Sequence, residues 1–272
     1  MPPTPEENTS MTAVWSAAEV AIRTLRSIGL TDVCFVGGVA CALYGNTRNP
    51  NVRSLLCPFG LIVSSFSCEL VQDLDILILN APYGQETIKR MLTSANPAFY
   101  TVASKTIGAT YRVLWYNPRG SSLFLRTDSV KVDILLPGIM DIPSFSADYI
   151  STNNSRQLPA APFSIVLLLK LQAWSQHRAA FKAYLNSKQY TDASDLEIIV
   201  PLAAANGVRI SEAVLPSSFV EAAKHRVLEY VRNYPSSRTI SKWRTIGFTL
   251  PHAQHSSRHR PVPTTQYSFS RR

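Results

Sequence analysis

The sequence lacks several patterns that would place a chain of this length in a common class of enzyme. Its four cysteines form no C-x-x-C pair and have no zinc-ligand spacing, so nothing indicates a structural zinc site. The G-x-S-x-G motif of hydrolases, the Walker A motif and the G-x-G-x-x-G dinucleotide fingerprint are also missing. The chain therefore carries none of the usual signatures of α/β-hydrolases, P-loop proteins or Rossmann enzymes.

Long apolar runs are missing as well. The best ones, Phe59–Phe66 and Ile165–Leu169, are far shorter than the roughly 20 residues that a membrane-spanning helix needs. The N-terminus reads Pro-Pro-Thr-Pro-Glu-Glu, without the basic start and apolar segment of a signal peptide. We therefore expect no membrane partner, and an intracellular protein of the cytoplasm or nucleus, not a secreted one.

The formal net charge of +9 is confined to one end of the chain. Residues 1–223 contain 17 basic and 17 acidic side chains, whereas residues 224–272 contain 10 basic side chains and one acid. From residue 251 onward His, Ser, Arg and Pro dominate, which predicts a basic disordered tail over 251–272. Such a tail could contact polyanions, so a nucleic-acid binder that acts through its tail is one candidate function.

The rest of the chain predicts an α+β fold. Residues 1–10 are polar and rich in Pro, which favours a disordered N-terminus, and the catalytic-type domain is expected over 11–158. Residues 159–250 favour a helical domain, with Pro or Gly between helical stretches. Short apolar segments bounded by turn residues predict strands at Val33–Val36, Asp73–Leu79, Tyr111–Tyr116, Leu123–Arg126 and Lys131–Leu136.

Three features in this order could carry chemistry. Gly37-Gly38 follows a strand and opens a helix, where glycines let a phosphate approach backbone N–H groups. Asp73-Leu74-Asp75 begins an apolar strand, and residues i and i+2 of a strand point to the same side. Asp133 is a single acid inside the strand Lys131–Leu136. If these strands are neighbours, three carboxylates converge and can hold two metal ions for phosphoryl transfer.

Each feature alone also has an ordinary structural explanation. A Gly-Gly pair is common in strand-to-helix turns, an Asp-x-Asp at a strand start often caps a turn, and a lone Asp often ends a strand. The three features together favour a functional site.

The same order resembles the polymerase-beta-like nucleotidyltransferase superfamily, in particular its small antibiotic-nucleotidyltransferase-like and toxin-like members and uncharacterised eukaryotic proteins. The segment from Val36 to Gly45, followed by Arg48, is very similar to their opening motif. The likeness covers about residues 12–200. It implies a mixed β-sheet with flanking helices, and Mg²⁺-dependent transfer of a nucleoside monophosphate from an NTP. The acceptor stays open between a small molecule, a protein and RNA.

The resemblance also implies roles for individual residues. Gly37 and Gly38 would hold the triphosphate, and Asp73 and Asp75 would bind both of two Mg²⁺ ions. Asp133 would bind the catalytic ion and activate the acceptor. Lys170 is a candidate for triphosphate binding; the alternative is a lysine whose stem lies along an amphipathic helix with its ammonium in water.

One stretch departs from the family pattern. Gly38 and Asp73 are 35 positions apart, whereas in relatives little more than a helix and a loop separates the two motifs. Removing the 21 residues 52–72 joins Asn51 to Asp73 and restores the pattern. We interpret 52–72 as a translated, unspliced intron, because a Val codon begins with GT and Gln72 can be encoded by CAG. The alternative is a genuine loop insertion. An insert beside the acids could also leave a catalytically silent nucleotide-binding protein of the same fold.

Overall fold

A computed structural model describes residues 5–46, 73–106, 108–118, 129–210 and 215–250. The predicted α+β class is confirmed, since a five-stranded mixed sheet is flanked by helices. The predicted insert 52–72, the predicted strand Leu123–Arg126 and the predicted tail 251–272 lie outside the described residues. None of the helices in the described ranges is both long and apolar enough to span a membrane.

Eight helices and five strands follow one another along the described ranges. In chain order they are α1 (Pro5–Ser27), β1 (Val33–Phe35), α2 (Gly37–Leu43), β2 (Asp73–Ile78), α3 (Gln85–Ala95), β3 (Phe99–Ala103), β4 (Arg112–Tyr116), β5 (Val130–Leu135), α4 (Phe163–Arg178), α5 (Ala183–Asn186), α6 (Lys188–Ala205), α7 (Ser217–Asn233) and α8 (Ile240–Ile246).

The sheet has the strand order β1-β2-β5-β4-β3. β2 and β5 pair in parallel, and every other neighbouring pair is antiparallel. β2 lies inside the sheet, and Leu74 and the run Ile76–Ile78 are buried. A strand covered on both faces is expected to be apolar almost throughout. Asp73 and Asp75 at the start of β2 depart from this expectation.

The start of the chain differs from its prediction. The composition of residues 1–10 predicts disorder, but α1 begins at Pro5. Proline suits the first position of a helix, because its missing N–H has no partner there and its φ angle is already helical. The Pro-Glu-Glu sequence is therefore a helix start rather than a loose end.

The two parts of the chain share one hydrophobic core. Buried apolar side chains form a single cluster that includes residues of the sheet and of helices α4, α6, α7 and α8. The backbone N–H of Phe35 donates to the carbonyl of Pro159, and the N–H of Ala161 donates to the carbonyl of Phe35. Tyr44 stacks on Phe163 with ring centroids 4.2 Å apart. The helical part is thus fixed against β1 and α2, next to the turn at the start of α2.

Candidate functional site

The three predicted acids lie together on two neighbouring strands. In the parallel pair β2–β5, Asp75 lies opposite Asp133 and Asp73 lies opposite Lys131. Side chains two residues apart in a strand share a face, so all three carboxylates and the Lys131 ammonium lie on the same side of the sheet. This is the arrangement that the sequence predicts on the condition that the two strands are neighbours.

The glycine turn lies directly against the second acid. The N–H of Val36 donates to the carbonyl of Asp75 at 3.1 Å, and the chain then turns at Gly37, which has a φ of +61°. A Cβ at position 37 would lie only 1.9 Å from Asp75 Oδ2. Gly38 follows as the second residue of α2. The structure thus brings Gly37 and the acids together, and it explains the need for glycine at 37 by the close approach of a carboxylate.

Burial controls the charge of the two acids on β2. Removal from water, followed by the negative charges of Asp133 and Asp73, raises the pKa of Asp75 to about 7. Burial also raises the pKa of Asp73, and the nearby Lys131 ammonium partly opposes this effect. Holding these carboxylates ionised side by side therefore costs free energy, and positive charge at this position offsets that cost.

Lys131 supplies positive charge to the acids in this structure. Its Nζ donates to Asp133 Oδ2 at 2.5 Å and lies 3.7 Å from Asp73 Oδ1. Burial disfavours the charged form of Lys131, but the charges of Asp73 and Asp133 outweigh it and raise the lysine's pKa. The sequence-based prediction missed this contact, although Lys131 lies two residues before Asp133 and strand alternation could have revealed it.

The three acids are of a residue type that binds cations, but their side chains are not positioned as a complete set of metal ligands. Within the described part of the chain, no group of three or more His, Cys, Asp and Glu side chains is positioned to hold a metal ion. Asp73 Oδ1 is nevertheless buried and accepts no hydrogen bond. The three side chains supply carboxylate oxygens, and this donor set fits a hard divalent cation that prefers oxygen ligands.

Lys170 is held by two acids of a neighbouring helix. Its Nζ lies 3.2 Å from Asp192 Oδ1 and 3.2 Å from Asp195 Oδ2, and its side chain is only 13% exposed. Burial opposes its charge, but Asp192 and Asp195 raise its pKa. The alternative of a lysine with its ammonium in water is therefore wrong. Triphosphate binding by Lys170 stays a prediction, and such a ligand would compete with two carboxylates for the ammonium.

The Lys170 ion pairs extend to further residues that the sequence did not reveal. His177 Nδ1 lies 2.6 Å from Asp192 Oδ2, and Asn46 Nδ2 donates to Asp195 Oδ1 at 3.1 Å. Asn46 is the last described residue before the segment that leads to Asp73. The network therefore connects the end of α2 with α4 and α6.

Comparison of the chain with protein-family models, with curated proteins and with solved structures finds no match in any of the three. The function of the protein must therefore be inferred from the site itself.

Proposed function

We propose that the protein is a Mg²⁺-dependent nucleotidyltransferase, which transfers a nucleoside monophosphate from an NTP to an acceptor. The observation that carries the proposal is the register of β2 and β5, which sets Asp75 opposite Asp133 with Asp73 on the same face. Two neighbouring strands thus present three carboxylates beside a turn that begins a helix. The resemblance in the sequence motifs agrees with this assignment.

Asp73, Asp75 and Asp133 are the residues that would hold Mg²⁺. The bound ion would neutralise phosphate charge and stabilise both the attacking and the leaving oxygen of a displacement at phosphorus. A second ion, which the resemblance implies, would use the same carboxylates. Their charge is suited to this role, because a nearby cation favours the ionised form of Asp75, whose pKa burial raises to about 7.

The remaining assignments follow from the family resemblance and from position. Asp73 and Asp133 are each 35% exposed, so exposure does not separate them. In line with the resemblance, we assign Asp133 to accept the proton of the acceptor hydroxyl. Gly37 and Gly38 are assigned to the triphosphate, because neither residue has a side chain of its own that would keep a phosphate away from the backbone N–H groups. In the reaction, the acceptor oxygen bonds to the α-phosphorus, the bond to the β-phosphate oxygen breaks, and pyrophosphate leaves.

Transfer of label tests the proposal. The chain is incubated with Mg²⁺, each of the four α-³²P-labelled ribonucleoside triphosphates, and separate RNA, protein and small-molecule fractions of a cell extract. A second preparation lacks residues 52–72, since that segment precedes Asp73 directly. We expect transfer that disappears in Asp73→Asn and Asp133→Asn, and persists in the control Asp141→Asn, an exposed acid outside the site. Transfer that survives in Asp133→Asn would overturn the site assignment.

A catalytically silent nucleotide-binding protein is the second candidate. The contact between Lys131 and Asp133 favours it, because an ammonium already satisfies the carboxylate that would activate the acceptor. Calorimetric titration with NTP and Mg²⁺ separates the two candidates. Binding without label transfer supports the silent protein, whereas the absence of binding in both preparations contradicts both candidates.

A further inference from the structure

Residues 179–191, which include α5 and the first residues of α6, expose aromatic rings that do not pack in the core. Phe181 is fully exposed, and Tyr184 and Tyr190 are 62% and 64% exposed. Among the described residues, the other exposed tyrosines are less than 50% exposed: Tyr83, Tyr111 and Tyr149. Single exposed apolar residues are ordinary on protein surfaces, but three large exposed rings within ten residues of sequence are unusual and suggest a ligand or partner.

The same segment is basic. Lys182 and Lys188 are exposed, and residues 179–191 contain no Asp or Glu. The next acid along the chain, Asp192, is buried and pairs with Lys170 and His177. The surface of residues 179–191 therefore combines aromatic rings with two positive charges, and no acid of its own sequence offsets them.

Hydrogen bonds hold this segment in place. Asn186 Nδ2 donates to the carbonyl of Arg178 at 2.8 Å, and Ser187 Oγ donates to the carbonyl of Tyr184 at 2.9 Å. Gln189 Nε2 donates to Asn186 Oδ1 at 3.0 Å. Rings on an ordered support lose less conformational entropy when a ligand stacks on them than rings on a flexible chain do.

We propose that residues 179–191 bind single-stranded nucleic acid, with Phe181, Tyr184 and Tyr190 stacking on bases and Lys182 and Lys188 contacting phosphates. Stacking on aromatic rings along a basic surface is the usual way in which proteins hold single strands without reading their sequence. The binding itself does not depend on the proposed function.

An anionic membrane surface is the main competing occupant, since it also attracts aromatic and basic side chains. The polar residues Asn186, Ser187 and Gln189 separate Tyr184 from Tyr190 in the sequence, and residues 179–191 do not form one long amphipathic helix. These features favour a strand, whose bases and phosphates alternate, over a continuous apolar layer.

Fluorescence anisotropy with a labelled single-stranded RNA of about 12 nucleotides, within the range of known single-strand sites, tests the proposal on the full chain. We expect Phe181→Ala to weaken binding about tenfold, and Phe181→Ala/Tyr190→Ala to weaken it further. The control Tyr149→Ala removes an exposed tyrosine outside the segment, and its affinity should stay within about twofold of wild type. Lys182→Gln/Lys188→Gln should weaken binding and reduce its salt dependence.

Several results would overturn the proposal. Equal affinity of wild type and Phe181→Ala/Tyr190→Ala would assign any binding to other parts of the chain, such as the basic residues 251–272, which every variant keeps. Binding to phosphatidylserine vesicles that depends on Phe181, without binding to RNA, would identify a membrane surface instead. The assay contains no NTP, so its outcome is separate from that of label transfer: strand binding without transfer contradicts only the proposed function, and transfer without strand binding contradicts only this inference.

Discussion

Gly37 and Asp75 lie in direct contact, although they are far apart in the sequence. A Cβ at position 37 would come within 1.9 Å of Asp75 Oδ2, and the backbone of Gly37 has a φ of +61°. The clash and the left-handed backbone are each sufficient to require glycine at this position, whether or not a ligand binds there. The glycine therefore allows the helix start and the acid to approach each other, which is what a site for a charged phosphate and a cation needs.

Gly37→Ala should destabilise the fold by more than about 2 kcal/mol, because it adds left-handed backbone strain to a clash with a carboxylate. Chemical denaturation measures the loss. Gly207→Ala is the matched control, since Gly207 has a φ of +69° with nothing within 4 Å of an added Cβ, and so carries the strain alone.

A double-mutant cycle isolates the clash. Asp75→Ala should recover part of the stability that Gly37→Ala loses, since it removes the atom that the new Cβ would meet. Additive losses in the cycle would show that the two residues are not in contact.

The contribution of Asp75 to stability should fall as the pH rises from about 4 to about 7. Asp75 has a folded pKa of about 7 against an ordinary value of 3.8, so the folded state binds more protons than the unfolded state in this interval. Asp75→Asn removes the charge with little change of shape. At pH 8 it should therefore be more stable than wild type by on the order of 1 to 3 kcal/mol, and the difference should shrink toward pH 4. Denaturation at both pH values, with Asp141→Asn as a control, checks this; a difference that is independent of pH would contradict it.

Lys170→Met should destabilise the fold by about 3 to 5 kcal/mol, because it removes the buried ammonium that Asp192 and Asp195 share and leaves them with their contacts to His177 and Asn46. Lys182→Met removes an exposed lysine from the next turn and should change stability by less than about 0.5 kcal/mol. Thermal or chemical unfolding compares the two. Equal, small losses would show that the Lys170 ion pairs contribute little, and would leave its ammonium available for a ligand.

Residues 52–72 should be missing from part or all of the mature transcripts. The segment interrupts the motif between Asn51 and Asp73, its 21 codons keep the frame, and its ends suit splice sites. Sequencing of cDNA across this junction decides the matter. If every transcript contains the segment, it is a genuine insertion and the intron hypothesis is wrong.

The alternation of side chains along a strand was sufficient to predict how the acids of each single strand are placed. The two-residue spacing of Asp73 and Asp75 sets them on one face, and the apolar neighbours of Asp133 indicate a strand. The pairing of β2 with β5 could not be derived in the same way, because about fifty residues separate the strands and their register is fixed by tertiary packing. The sequence therefore predicted that the three acids converge only if β2 and β5 are neighbours.

The missed contacts differ in what the sequence could show. Lys131 shares a face with Asp133 by the same alternation, so strand periodicity was sufficient to predict it. Asp192 and Asp195 lie three residues apart on α6 and hence on one face of that helix, but nothing local shows that they meet Lys170. The edge strand β3 was missed because it is largely half-exposed and lacks a clear alternation.

Binding of Mn²⁺, followed by the electron paramagnetic resonance signal of the free ion, tests most directly whether the acids of β2 and β5 form a cation site. We expect the wild-type chain to bind Mn²⁺, more tightly with an NTP present, and Asp133→Asn to lose at least about tenfold in affinity. Lys131→Met should bind at least as tightly as wild type, since it removes the ammonium that competes for Asp133. Equal Mn²⁺ binding by wild type, Asp133→Asn and Asp75→Asn would contradict the site.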